Sequence, residues 1–281
     1  MIEGCIQEKQ AGAGLLRRAR RYIRIDDSKA IKHIDASPEV KKLVLDKLLE
    51  IASTSRVLEW DLGIGKFRGQ WAQWVRRKTH LRSAGQHQVL LVSNIQGLEF
   101  VSSILHWHII TDICLLVDED EDSAERRGPT RDLSEYTMYL IADCGVMAGS
   151  EGHFVLRSPM VLGRDVASAT ELFLYLGNMD DTDVFEAPIF NFQFLFRKGR
   201  YQVLIWLREK ESGDRWELIA AVWLEMLCHI SYNCGAAFHA KRLTTGGEFV
   251  TSVKMLLFML GVPFLRDVKE PLFYRAGNLY S

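Results

Sequence analysis

The 281-residue chain is 48% hydrophobic and 25% charged, with a formal net charge of −1. Those proportions suit a globular protein with a sizeable core and exclude a chain disordered throughout. There is no overall basic excess to attract nucleic acid, and none is expected as a partner.

The five cysteines, Cys5, Cys114, Cys144, Cys228 and Cys234, are odd in number and scattered. That pattern favours free thiols in a reducing compartment over a disulfide framework. The opening MIEGCIQEKQ lacks the apolar core of a secretory signal. No stretch reaches about 18 uninterrupted apolar residues, so the expected location is cytoplasmic or peripheral to a membrane.

Residues 1–34 read as a basic lead-in, and 35–281 as a single, mainly α-helical domain. In the lead-in, Arg17, Arg18, Arg20, Arg21 and Arg24 accompany Leu15, Leu16, Tyr22 and Ile23. A solvated helix end explains this pattern, and so does a patch facing anionic lipid headgroups. Next, Ser37 suits an N-cap, Pro38 the first helical position and Glu39 the positive end of the helix dipole. Val40, Leu43, Val44, Leu48 and Ile51 follow at helical spacing, which predicts a helix from Pro38 to about Ala52.

The glycines and tryptophans of EWDLGIGKFRGQWAQWVRR predict a loop running into a short helix. Residues 98–117 predict a helix buried on most sides. DEDEDSAERRGPTRD then reads as an exposed loop, and a helix resumes at LSEYTMYLI with Ser134 near its start. RDVASATELFLYLG predicts a helix closing on Gly177, and a short strand or an irregular apolar segment is expected at 188–196. Asp214 and Glu217 have the spacing of a capping box, with Trp216, Ile219, Trp223, Met226, Leu227 and Ile230 marking one face to about Asn233. After HAKRLTTGGE a last helix carries Phe249, Val250, Val253, Leu256, Leu257 and Leu260, and it stops at Gly261 and Pro263.

Several polar residues sit inside these apolar runs. His106 and His108 would project about 200° apart on a helix and cannot share an ion, whereas His108 and Asp112 stack on one face beside Thr111. An acid–base dyad or a buried polar pair satisfies that spacing, and the absence of a neighbouring nucleophile motif favours the pair. Cys228, His229, Cys234 and His239 crowd together but lack a paired C-x-x-C element. They converge only if the helix breaks near Gly235, so no metal site is assigned and no cofactor is expected. TTGGE offers free amides ahead of a helix, but a tight turn with Glu248 supporting the first helical turn is the simpler meaning. There is no phosphate loop, no G-x-S-x-G and no H-E-x-x-H.

The blocks FRGQW (67–71), WHIITDIC (107–114), LSEYTMYLI (133–141) and WLEMLCHISYNCGAAFHAKRLTTGGEFVTSVKMLLFMLG (223–261) resemble a plant domain of unknown function, family 594. The likeness is most specific at Trp107, His108, Thr111, Asp112 and Cys114. It continues through Trp223, Glu225, Cys234, His239, Gly246, Gly247 and Glu248, and it is weak over 151–210. The resemblance implies a plant protein and a cytoplasmic domain carried behind a multi-span membrane domain, family 4220, which has no counterpart in this sequence. It assigns no reaction. ADCGVM (142–147) and Lys254, which stands where a large apolar residue is usual, depart from the pattern.

The expected function is therefore a non-enzymatic interaction or scaffold domain with a protein partner. His108, Asp112, Glu225, His239 and Glu248 would tie helices together, and Trp107 and Trp223 would anchor the core. The alternative is a metal-dependent or acid–base hydrolase using His108, Asp112, His239 and Glu248.

Overall fold

A computed structural model describes residues 36–58, 64, 68–78, 91–118, 124–142, 202–208, 210–245 and 248–260. The arginine-rich lead-in, the helix expected before Gly177, the segment 188–196 and the Gly246–Gly247 turn lie outside these residues. What is described is a mainly α-helical fold. Its helices are α1 (Pro38–Leu58), α2 (Gln70–Lys78), α3 (Phe100–Val117), α4 (Ala124–Ala142), α5 (Gln202–Arg208), α6 (Ser212–Asn233), α7 (Ala236–Thr245) and α8 (Glu248–Met259). Residues 91–95 are helical as well, and no strand occurs among the described residues.

The local chemistry explains most boundaries. The Ser37 hydroxyl accepts the Val40 amide at 3.3 Å and caps α1, which runs on past Ala52 to Leu58. Glu99 caps α3, its carboxylate accepting the amides of Val101 and Ser102 at 3.0 and 3.2 Å. α6 ends as the apolar pattern does, with Cys234 in extended backbone after Asn233.

Three expectations are corrected. The stretch read as an exposed loop is helical from Ala124 onward, so Ser134 lies in the interior of α4 and not near its start. Tertiary contacts hold that charged first part despite Pro129: Arg127 donates to the Asp118 carbonyl, and Arg126 to the Gly213 carbonyl at 3.4 Å. The Asp214–Glu217 capping box is not formed, because α6 already starts at Ser212 behind Glu211 and Glu217 turns to Lys47 of α1. The HAKRLTTGGE segment, after which the last helix is expected to begin, is itself largely helical, since Ala236–Thr245 form α7.

α6 is the central rod, packed against α2, α4 and α8 and touching α1, while α3 packs on α4 and α7 on α8. Its residues from Leu218 to Cys228 are all buried, so it is enclosed on every side there. Five tryptophans, Trp71, Trp107, Trp206, Trp216 and Trp223, are among the largest fully buried side chains. Each buries on the order of 150–250 Å², enough for aromatic packing to dominate the core.

Candidate functional site

A helix enclosed on all sides has no solvent-facing stripe for its polar residues, so any it carries need partners inside the protein. Trp223 and Glu225 are two positions apart on α6 and therefore point about 200° apart. They mark two polar junctions on opposite sides of the rod.

On the first side lies α3. The Trp223 indole donates to the Thr111 hydroxyl at 2.9 Å, and that hydroxyl donates to the Trp107 carbonyl one turn back at 2.7 Å. His108 meets the Trp223 ring edge-on at 6.3 Å, and its Nδ1 lies 2.6 Å from the Ser134 hydroxyl of α4. His108, Thr111, Ser134 and Trp223 are all buried. Asp112 is half-buried one turn along α3.

On the other side lies the amino end of α2. Gly69, with φ of +85°, turns the chain in the left-handed region that favours glycine, and a Cβ there would meet Ile95 at 3.3 Å. The first amides of a helix have no carbonyl of their own helix to bind. In α2 the Gln73 amide reaches back to the Gly69 carbonyl at 3.2 Å, while those of Trp71 and Ala72 donate to the two oxygens of Glu225 at 2.8 and 3.1 Å. A carboxylate from one helix thus caps another, at the positive end of its dipole. Glu225 is 1% exposed, and burial pushes its carboxyl up to about 7, against the opposing pull of the Trp71, Ala72, Gln70 and Gly69 amides.

The carboxyl end of α6 has the opposite need, for donors. Lys254 of α8 donates to the Cys234 carbonyl at 2.8 Å and so caps the end of α6. His239 of α7 bridges the Ser231 carbonyl of α6 and the Thr251 hydroxyl of α8, at 3.2 and 3.0 Å. Burial and the Lys254 ammonium hold the His239 pKa below its ordinary value, although the Ser231 and Cys234 carbonyls favour the cation. Glu248 opens α8.

Two further junctions carry residues that sequence reasoning missed. Asp118, directly after α3, is buried and accepts from the Ser212 hydroxyl and the Trp216 indole at the start of α6, with the Arg215 guanidinium at 3.6 Å. The signal for it was its position as the first acid after a long apolar run. The Tyr136 hydroxyl of α4 accepts the Val250 amide at 3.1 Å and so caps α8, its ring packed edge-on against Phe249. Only its place on the apolar stripe of α4 pointed to it.

Burial raises the Cys114 thiol to about 12 and the Cys228 thiol further still, so both stay protonated and inert as nucleophiles. Among the described residues no three His, Cys, Asp or Glu side chains are grouped to hold a metal ion. No helix among them is long and apolar enough to cross a membrane.

Fold and site together define a helical domain in which buried polar side chains serve the ends and flanks of neighbouring helices. Residues 208–262, from the end of α5 through α8, match the model of a family described as "Protein of unknown function, DUF594". The match takes in the 223–261 block and leaves the blocks at 67–71, 107–114 and 133–141 outside it. No curated protein and no solved structure matches the chain.

Proposed function

We propose that this chain is a non-enzymatic interaction or scaffold domain, cytosolic or peripheral to a membrane. The observation that supports this reading best is how the buried Glu225 and His239 are used. Each is engaged with the end of a neighbouring helix, a role that needs no substrate. Stability separates this from the hydrolase alternative built on His108, Asp112, His239 and Glu248. Removing a structural tie destabilises a protein, whereas removing a catalytic group commonly leaves stability unchanged or raised. His108→Ala, Glu225→Ala and His239→Gln are each expected to lower the melting temperature of the full chain. A variant that melts at or above wild type contradicts the structural role of that residue.

For a protein partner, we propose the outer face of α8 as the docking surface. Met255, Phe258 and Met259 recur there at helical spacing and are 56%, 67% and 75% exposed, an apolar stripe that water covers poorly. A photocrosslinking residue at position 258 is expected to trap a defined protein that the same residue at exposed position 124 does not. Equal trapping at both positions contradicts the assignment. For the membrane-peripheral form, the sequence run Arg17, Arg18, Arg20, Arg21 and Arg24 supplies the positive charge. Salt-sensitive flotation with anionic vesicles tests it, and absence of flotation removes it.

A further inference from the structure

His239 stands where three helices meet. Its ring is packed between the carboxyl end of α6 and the first turns of α8, and the residue is 6% exposed. A backbone carbonyl can only accept, so the contact with the Ser231 carbonyl requires the proton on Nε2. The neutral ring then has the Nδ1 lone pair left, and the Thr251 hydroxyl donates to it. Both ring nitrogens are thereby used, each toward a different helix.

The charged and polar groups around the ring can be named helix by helix among the described residues. α8 presents the Lys254 ammonium, whose charge acts on the imidazole while the amine itself caps the Cys234 carbonyl. α6 presents the carbonyls of Ser231 and Cys234 and no charged side chain that acts on the ring. α7 adds Lys241, exposed and two positions on, and the edge-on ring of Phe238 at 5.3 Å.

We propose that His239 is a proton-sensitive latch: neutral, it pins the α7–α8 pair to the end of α6, and uptake of one proton loosens that pair from the bundle. The proton enters at Nδ1, the ring nitrogen that carries no hydrogen in the neutral form, and displaces the Thr251 hydroxyl proton from its lone pair. Nδ1 then donates instead of accepting, so the Thr251 hydroxyl loses its acceptor and must turn its own proton elsewhere. The ring also becomes a second cation close to the Lys254 ammonium, and the two like charges repel. The sign follows from a folded-state pKa held below that of a free histidine. The stabilisation is present above the ordinary histidine range and is lost as pH falls through the folded value. Loosening uncovers Val250, Val253 and Leu257, the core-facing side of α8.

Hydrogen exchange of the full chain at about pH 7.5 and about pH 5, corrected for the intrinsic rate, tests the latch. Protection over 236–245 and 248–259 is expected to fall severalfold at the lower pH while that of 38–58 holds, and His239→Gln is expected to abolish the difference. Equal protection of wild type at both pH values, or the same acid loss in His239→Gln, overturns the proposal. Should that variant not fold, titration of the His239 ring in wild type by NMR decides. A midpoint below the ordinary histidine value supports the latch, and one at or above it overturns it.

Discussion

The middle of α6 carries a buried titratable residue and its carboxyl end meets another, from α7, and the two are used in opposite ways. Glu225, in the middle, offers acceptors to the amides that begin α2, whereas His239 and Lys254 offer donors to the carbonyls that end α6. A helix exposes unpaired N–H groups at one end and unpaired C=O groups at the other, so a buried start calls for an acid and a buried end for a base. The two residues also respond oppositely to their surroundings. Burial disfavours the charged form of each, which raises the Glu225 carboxyl and lowers the His239 imidazole. One junction is therefore strengthened by acid and the other weakened by it.

The largest test of this contrast is Glu225→Ala. It strips the Trp71 and Ala72 amides of their acceptor in a dry site and leaves a void, and should cost about 3 to 5 kcal/mol in urea unfolding. A cost below about 1 kcal/mol would mean that water or another group takes over the cap. The pH profile comes next. Because the Glu225 pKa is raised from 4.5 to about 7, its stabilisation is complete below 4.5 and is lost as pH rises through about 7. That loss is on the order of 3 kcal/mol, and Glu225→Gln should lack it. Equal slopes in the two proteins would break the contrast with His239, whose contribution runs the other way. Asp118→Asn keeps one acceptor oxygen but removes the charge beside Arg215, and is expected to cost about 2 kcal/mol by the same measurement. Lys254→Met should cost only about 1 kcal/mol, since its amine is half-buried and water can reach part of the site. A larger loss would show that the end of α6 depends on a single donor.

The sequence made the apolar helices plain and their polar partners obscure. Val40, Val44 and Leu48, or Phe249, Val253 and Leu257, repeat at helical spacing because each faces the core, and that repeat is local information. Ala124 to Asp132 show no such repeat. Their helix is held by Arg126 and Arg127 reaching the Gly213 and Asp118 carbonyls, which no short window contains. α7 was hidden for a related reason, since its inward side is little more than Phe238 and His239. Asp118 looked like the first residue of an acidic loop, because Ser212 and Trp216 lie far along the chain. Glu225 was recognisable as an acid inside an apolar run. Its target at the start of α2 was not, because caps supplied by another helix leave no spacing to read.

The most direct check of the account is amide exchange at Trp71 and Ala72. These first-turn amides should exchange slowly in wild type and much faster in Glu225→Ala, with the amides of α8 unchanged. Equal rates at Trp71 and Ala72 in the two proteins would show that Glu225 does not hold the start of α2.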